Sequence, residues 1–409
     1  MADLALILFD DAEARTWMPF VLTRPAGELR FGAFTLRERA ERVLGVRCAG
    51  HLCGGWLEAF DESWARPVLD VSALPRDSDL LLLSSRAVLA WGPQPPFPRP
   101  RPATLLVQDT VCGWYIPAGG ELPPADAIVQ PHVAGMDGGE PVHLRGVMIC
   151  KPWEFIARNA EQVTRDIEAV FGAPVPPDLP AGVHVMGDGT LVVEPGASVE
   201  PGAVLDLRSG PIWLEAGSSV RAFTRLAGPA HIGSGTTLLG GAVSTVSIGP
   251  MCRIHGEVEE CIILGYTNKA HDGYLGHSYV GSWVNLGALT TNSDLKNNYG
   301  PVRVWTPAGE VDAGAIKLGC LLGDHVKTGI GTLLNTGTVV GAGSSINGPG
   351  MPPKYVPPFT WGTATESAEY ELEKFLSVAE TVMQRRDVIL TAKQRALLCA
   401  AWQATRGRR

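Results

Sequence analysis

The stretch Leu214-Glu-Ala-Gly-Ser-Ser-Val220-Arg-Ala-Phe-Thr-Arg-Leu226-Ala-Gly-Pro-Ala-His-Ile232-Gly-Ser-Gly-Thr-Thr-Leu238 places an apolar residue at every sixth position, five times without a miss. A helix repeats near 3.6 residues and a plain strand near 2, so neither accounts for a period of six. A coil with three short faces does: one apolar side chain per face points inward, and small residues turn the corners. The same spacing holds Val193, Val199 and Leu205 on one side. After shifts in register it returns at Ile248 with Ile254, Val280 with Leu286, and Val340 with Ile346. Of the 48 glycines, 31 lie between Gly182 and Gly350, where corners need left-handed backbone. The pattern predicts a parallel β-helix over 176–358.

Upstream, residues 1–175 have another texture. Leu4 to Phe9, Leu80 to Leu83 and Thr104 to Val107 are short apolar runs of the kind that form buried strands. Thr35 and Glu38 have capping-box spacing ahead of a helical stripe of Leu36, Ala40, Val43 and Leu44. Pro93 to Pro102 reads as a loop, and Pro152 to Phe171 as a helix. This alternation predicts an α/β layer. Residues 359–409 have two helical stripes and read as a packing tail. Asp387 is the candidate cap of the second helix.

The 409 residues carry a formal charge of −8 and only 19% charged side chains. That excludes a broad nucleic-acid footprint, which needs clustered positive charge. The eight cysteines are scattered without a C-x-x-C pair, so neither a disulfide scaffold nor a usual zinc site is expected. No apolar run approaches a membrane span, and the first residues lack a basic signal-peptide region. The expectation is a soluble cytoplasmic protein with no nucleic-acid or membrane partner.

Lysine is scarce, 8 against 26 arginines, yet Lys269, Lys296, Lys317, Lys327 and Lys354 gather in one region. That region also holds Asn268-Lys-Ala-His271-Asp-Gly-Tyr274-Leu-Gly-His277, then Asn292, and later Asp324-His325-Val-Lys327. Polar residues that a coil does not need for packing are candidates for a site. His271 and His325 compete as a general base, since neutral imidazole suits proton transfer near pH 7.

The stretch resembles the acetyltransferase half of the bifunctional N-acetylglucosamine-1-phosphate uridyltransferase / glucosamine-1-phosphate acetyltransferase family. That family carries N-K-A-G-H-x-x-Y-L-G, a G-A-G-T turn, an Asn and a Lys. Here the matches are Asn268 to Gly276, Gly287-Ala288-Leu289-Thr290, Asn292 and Lys296. The resemblance implies a left-handed helix, trimers, acetyl-CoA and Mg²⁺. It implies His271 as base, and Lys269, Tyr274, Asn292 and Lys296 at an amino-sugar phosphate. Lys317, Lys327 and Lys354 are candidate contacts for the CoA phosphates, since lysine offers a mobile charge for phosphate.

The first strand and its loop loosely resemble the sugar-phosphate nucleotidyltransferases, whose glycine-rich loop cradles nucleotide phosphates. No glycine stands between Met1 and Ala26, so Arg24 and Arg30 are the candidate nucleotide contacts. Asp10 or Asp11 could hold Mg²⁺, but a turn is the favoured reading for both. The expected function is a sugar-1-phosphate nucleotidyltransferase coupled to N-acetyl transfer, making a UDP-N-acetylglucosamine-type product. The alternatives are one activity alone, the other domain serving assembly or regulation, and a non-catalytic sugar-phosphate-binding scaffold.

Overall fold

The computed structural model describes residues 4–131, 140–348 and 350–406. The N-terminal unit is built on a six-stranded mixed sheet. Its strand order is Cys48–Leu52, Leu4–Phe9, Asp79–Ser84, Thr110–Ile116, Ala103–Val107, Glu140–Leu144. Leu4–Phe9 runs parallel to both of its neighbours, and the chain reverses at Thr110–Ile116. Leu6, Ile7, Leu81 and Leu82 are fully buried, because both faces of these strands are covered. The helix Leu36–Leu44 opens with the expected capping box of Thr35 and Glu38.

The rest of the chain winds into a left-handed β-solenoid of about 10 turns. Strands stack in parallel, coil on coil, into three faces. On one face Leu214, Ile232, Ile248 and Ile263 stand in register, and Val280, Leu322 and Val340 continue the column. The five hexad residues Leu214, Val220, Leu226, Ile232 and Leu238 are all fully buried in one core. The six-residue period is the face-to-face repeat of this coil.

The corners differ from a glycine-only expectation. Between the second and third faces, Gly217 and Gly235 have φ of 71 and 65°, but Met251, Tyr266, Trp283 and His325 take over at 59, 53, 63 and 60°. A side chain in left-handed backbone costs on the order of 1–2 kcal/mol. Here stacking offsets part of it: Tyr266 lies 4.2 Å from Trp283, and Trp64 lies 5.4 Å from Tyr266 on the other side.

The loop after the first strand coils into short 3-10 turns that are pressed onto the solenoid. Phe20 meets Tyr279 at 4.5 Å, and the Tyr279 hydroxyl donates to the Arg30 carbonyl oxygen at 2.8 Å. The helix Trp153–Phe171 lies against the same wall, where Asp166 holds Arg39 and the Asn159 amide oxygen accepts from Gly32 N. Two helices close the chain, Leu372–Gln384 and Ala392–Thr405. The second is capped by Thr391 with Gln394, not by Asp387, which sits in left-handed backbone at φ 57°. The turn after the first helix thus leaves Ile389 82% exposed instead of on a helical stripe.

Candidate functional site

A groove of about 600 Å³ runs between the third face of the solenoid and the first C-terminal helix. The floor is a ladder: Arg253 pairs with Asn268, Asn268 with Asn285, and Asn285 with Lys327, one rung per coil. Their neighbours in sequence, Ile254, Lys269, Leu286 and Thr328, point into the core, so strand alternation turns these four outward. The Asn268 amide donates to Asn285 Oδ1 at 3.0 Å. His271 stands at the edge beside Ala270. Tyr266 and Trp283 line one wall, and Val382, Arg385 and Arg386 the other.

The groove is cationic without a counter-charge. No carboxylate lines it among the described residues, and none of Arg253, Lys327, Arg385 and Arg386 has an ion-pair partner there. Burial pushes the Lys327 ammonium down to about 8. Desolvation, then the nearby Arg253, also lowers Arg386. Both groups are thus held in charged form against an unfavourable setting that an anion would relieve.

His271 differs from the other described histidines near charge. Its imidazole is exposed and has no hydrogen-bonding partner in the chain among the described residues. His255 pairs with Asp272 at 3.0 Å, His231 with Glu215 at 2.9 Å, and His51 with Glu28 at 2.8 Å. His277 lies between Glu260 and Asp294, at 3.0 and 2.7 Å; burial alone would lower its pKa, but these carboxylates reverse the sign and raise it. His325 is buried between Trp283 and Phe375, and desolvation first, then Lys327, pushes it down to about 3. The accessible imidazole facing the groove is therefore that of His271 and not of His325.

Of the other expected site residues, Lys327 is in the groove and the rest lie elsewhere. Lys269 occupies a core position in register with Ile254 and is 2% exposed. Its ammonium donates to the carbonyl oxygens of His255 and His271 at 2.7 and 2.8 Å, which ties the corner below the base. Asn292 also points inward, accepting from Gly276 N and donating to Gly276 O across one coil step. Tyr274 donates to Asp294 Oδ2 at 2.7 Å on the first face, near Lys317 and His277. Lys296 donates to the Pro301 carbonyl at 2.7 Å, and Lys354 lies near it beside the hairpin of Arg303–Thr306 and Gly309–Asp312. Sequence reasoning missed Arg253, Asn285, Arg385 and Arg386 as groove residues. The 17-residue step from Asn268 to Asn285 is one coil, and was the available signal.

Burial depresses the Lys269 ammonium from its ordinary value of 10.5 to about 8. Between these values the unfolded chain holds a proton that the native state has released, so stability rises with pH across that window. Below about 8 the full penalty applies. Lys269→Met removes it, so wild-type stability climbs relative to Lys269→Met from pH 8 to 10 in denaturant titrations. Parallel pH curves for the two proteins would contradict this placement.

The N-terminal candidates are tied up by the fold. Arg24 is 4% exposed and bonds Asp324 through Nη2 at 2.9 Å and Glu62 at 3.0 Å. Arg30 donates to the Ala33 carbonyl at 2.5 Å and borders a second cavity, of about 570 Å³, between the N-terminal unit and the solenoid. Asp10 accepts from Ala26 N and the Ser85 hydroxyl, and Asp11 from Ala14 N, Ser84 and Arg86. Every carboxylate oxygen of the pair is thus engaged. Among the described residues no cluster of His, Cys, Asp and Glu could hold a metal. These aspartates do not fit Mg²⁺.

Residues 6–89 match the sugar nucleotidyl transferase family. The transferase match covers the first strand, its loop, the helix Leu36–Leu44 and Asp79–Ser84. The bifunctional sugar-1-phosphate nucleotidylyltransferase/acetyltransferase of Sulfurisphaera tokodaii is 34% identical over 86 residues, 21% of either chain. The bifunctional GlmU protein of Methanococcus aeolicus is 27% identical over 198 residues, 48% of this chain and 42% of its own. The chain thus spans a fifth to two fifths of these relatives' lengths. The first of these relatives is a nucleotidylyltransferase and acetyltransferase by name. Among solved structures, a polysialic acid O-acetyltransferase aligns at 14% identity and TM-score 0.23, covering 46% of this chain and 89% of that one. An Arabidopsis UDP-N-acetylglucosamine acyltransferase aligns at 11% and 0.21, over 57% and 98%. Among the described residues no helix is long and apolar enough to cross a membrane.

Proposed function

We propose that the chain is a transferase of sugar-nucleotide biosynthesis whose acyl-transfer step takes place in the cationic groove. The acceptor is the amine of an amino-sugar phosphate and the donor acetyl-CoA. One observation carries this reading: the unpaired imidazole of His271 faces a groove that holds four cations and no acid. The amine nitrogen attacks the thioester carbonyl while His271 takes its proton. The carbon–sulfur bond breaks as the carbon–nitrogen bond forms, and the departing thiolate recovers the proton from the imidazolium. The N-terminal domain matches the nucleotidyl transferase family, which supports a bifunctional enzyme with a UDP-N-acetylglucosamine-type product. Working in the cytoplasm and assembly as a trimer belong to the same reading.

A second reading has its own observation. Beyond the strand ends, where open α/β folds bind ligands, the buried Asp10 and Asp11 are engaged by Ala26 N, Ala14 N, Ser84, Ser85 and Arg86. That favours acyl transfer alone, with the N-terminal domain serving assembly. Two assays separate the readings: acetyl-CoA consumption with glucosamine 1-phosphate, and pyrophosphate release with sugar 1-phosphates and each NTP. Consumption with no pyrophosphate from any pair selects the second reading. Absence of both leaves the sugar-phosphate-binding scaffold and defeats the enzyme proposal.

A further inference from the structure

Four arginines are buried among the described residues, and three of them face carboxylates. Arg24 meets Asp324 and Glu62, Arg37 meets Glu28 and Glu41, and Arg39 meets Asp166. Arg30, 8% exposed, is the exception. Its Nη1 donates to the Ala33 carbonyl oxygen, while Nε and Nη2 donate to nothing in the chain among the described residues, and no carboxylate pairs with it there. A buried guanidinium with unused donors is costly unless something completes it.

The Arg30 side chain lines the cavity of about 570 Å³ between the N-terminal unit and the solenoid, a volume suited to an organic ligand. Arg42 lines it too, exposed near the end of the helix Leu36–Leu44 and 4.3 Å from the Phe34 ring, with no ion-pair partner among the described residues. Asp10 and Asp11 do not border this cavity, so it is not the crevice beyond the strand ends. It is also separate from the groove at His271, although Tyr266 borders both.

The solenoid contributes two acids to the same cavity. Glu194 and Glu215 follow Val193 and Leu214, which pair between adjacent coils, so their backbones lie ~4.8 Å apart. Glu194 accepts from Trp213 Nε1 and Ala216 N, and Glu215 bonds His231 and accepts from Ser234 N, one bond to each oxygen. A carboxylate has about four acceptor sites, so each acid keeps some for a ligand. Burial would raise the Glu215 carboxyl, but His231 first and Arg30 after it hold it down at about 2, so it is ionised. Trp64 and Tyr266 line the cavity as a stacked pair at 5.4 Å, and such ring faces suit the C–H face of a sugar.

The chemistry is bipolar: guanidinium groups for an anion, carboxylates for hydroxyl donors, and aromatic rings for an apolar face. Two unpaired guanidinium groups match the near-double charge of a phosphate rather than the single charge of a carboxylate, and their planar forks meet phosphate oxygens two at a time. We infer that this cavity binds a phosphorylated sugar, with its phosphate at Arg30 and Arg42, its hydroxyls at Glu194 and Glu215, and its ring against Trp64. Both units supply the contacts, so the ligand bridges the seam between them. The site stands apart from the acyl-transfer reading, and neither depends on the other.

Calorimetric titration of the full chain tests it with glucose 1-phosphate, glucose 6-phosphate, glucosamine 1-phosphate and mannose 1-phosphate, and with glucose and inorganic phosphate as half-ligands. At least one sugar phosphate binds tenfold or more tightly than either half-ligand, and its affinity falls with rising salt. Arg30→Gln weakens it tenfold or more, the effect of losing charged hydrogen bonds. Because Arg30 is buried, two exposed positions guard against a merely misfolded variant: Arg42→Ala and Trp64→Ala each weaken binding at least threefold while circular dichroism stays that of the wild type. Arg253→Ala, in the groove, leaves the affinity unaltered. No sugar phosphate bound, affinity no better than that of the half-ligands, or wild-type affinity in both Arg42→Ala and Trp64→Ala overturns the inference. So does binding that is lost in Arg253→Ala and kept in Arg30→Gln, which places the ligand in the acyl-transfer groove. Binding that depends on Arg30 in a protein without acetyl transfer upholds the site and defeats only the activity.

Discussion

Replacing Arg24 with alanine destabilises the protein by about 3–5 kcal/mol, the usual consequence of removing one partner of a buried ion pair. The guanidinium is the only cation within hydrogen-bonding reach of both Glu62 and Asp324 among the described residues. Its own charge is held firmly: desolvation works against it, but the two carboxylates outweigh that and raise its pKa. Without it, Asp324 keeps only the Thr23 hydroxyl, at 2.8 Å, and Ser282 N, at 2.7 Å. Glu62 loses both of its bonds, and burial already pushes its pKa up. One or both acids then take a proton or drag water into the interface. Because the pair joins residues 300 apart in sequence, the loss falls on the seam between the N-terminal unit and the solenoid. Guanidinium unfolding followed by tryptophan fluorescence reads it, since Trp283 lies in this seam. Arg24→Lys recovers only part, as an ammonium cannot fork between two carboxylates. A loss below 1 kcal/mol, together with abolished nucleotide binding, would instead restore Arg24 to the role expected from its loop.

That role was the natural expectation, and its failure shows where sequence stops. The hexad pattern is local: every coil repeats it, so five spaced residues suffice to define the solenoid. The capping box at Thr35 is local too. Lys269 was harder. The resemblance places it at a substrate, but one residue is missing before His271, and strand alternation turns a one-residue slip into an opposite face. Its long apolar stem then fills a core position in register with Ile254, while the ammonium reaches corner carbonyls. Asn292 follows the same logic, an inward amide that bonds the coil beneath it. The groove was legible on one wall only. Asn268, His271 and Lys327 stand out as polar breaks in the coils. Arg385 and Arg386 come from the turn that ends a helix more than fifty residues further on, and nothing in their neighbourhood marks the wall they face. Aromatic corners were also hidden, because Tyr266 and Trp283 are strained singly and stabilised only by stacking across coils.

His271→Ala lowers acetyl transfer by 10²- to 10⁴-fold, the usual contribution of a positioned general base, while leaving the fold intact. The second half follows from the geometry: the imidazole is exposed and bonds to nothing in the chain among the described residues, so its removal leaves no buried group unpaired. The main-chain oxygen of residue 271 still accepts from Lys269, so the corner keeps its tie in the variant. The loss therefore appears mainly in kcat. His325→Ala behaves in the opposite way. That ring is packed edge-on to Phe375 at 5.9 Å and stacked near Trp283 at 6.3 Å, so its removal opens a cavity and lowers stability with a smaller effect on turnover. The pH profile separates the two further. A rate that rested on His325, whose ring is pushed down to about 3, would show no inflection of that ring between pH 5 and 9. Steady-state rates from pH 5 to 9, with thiol release as the signal, decide it. If His271→Ala keeps the wild-type rate while His325→Ala loses it, the base is His325 and the groove must open during turnover to reach it.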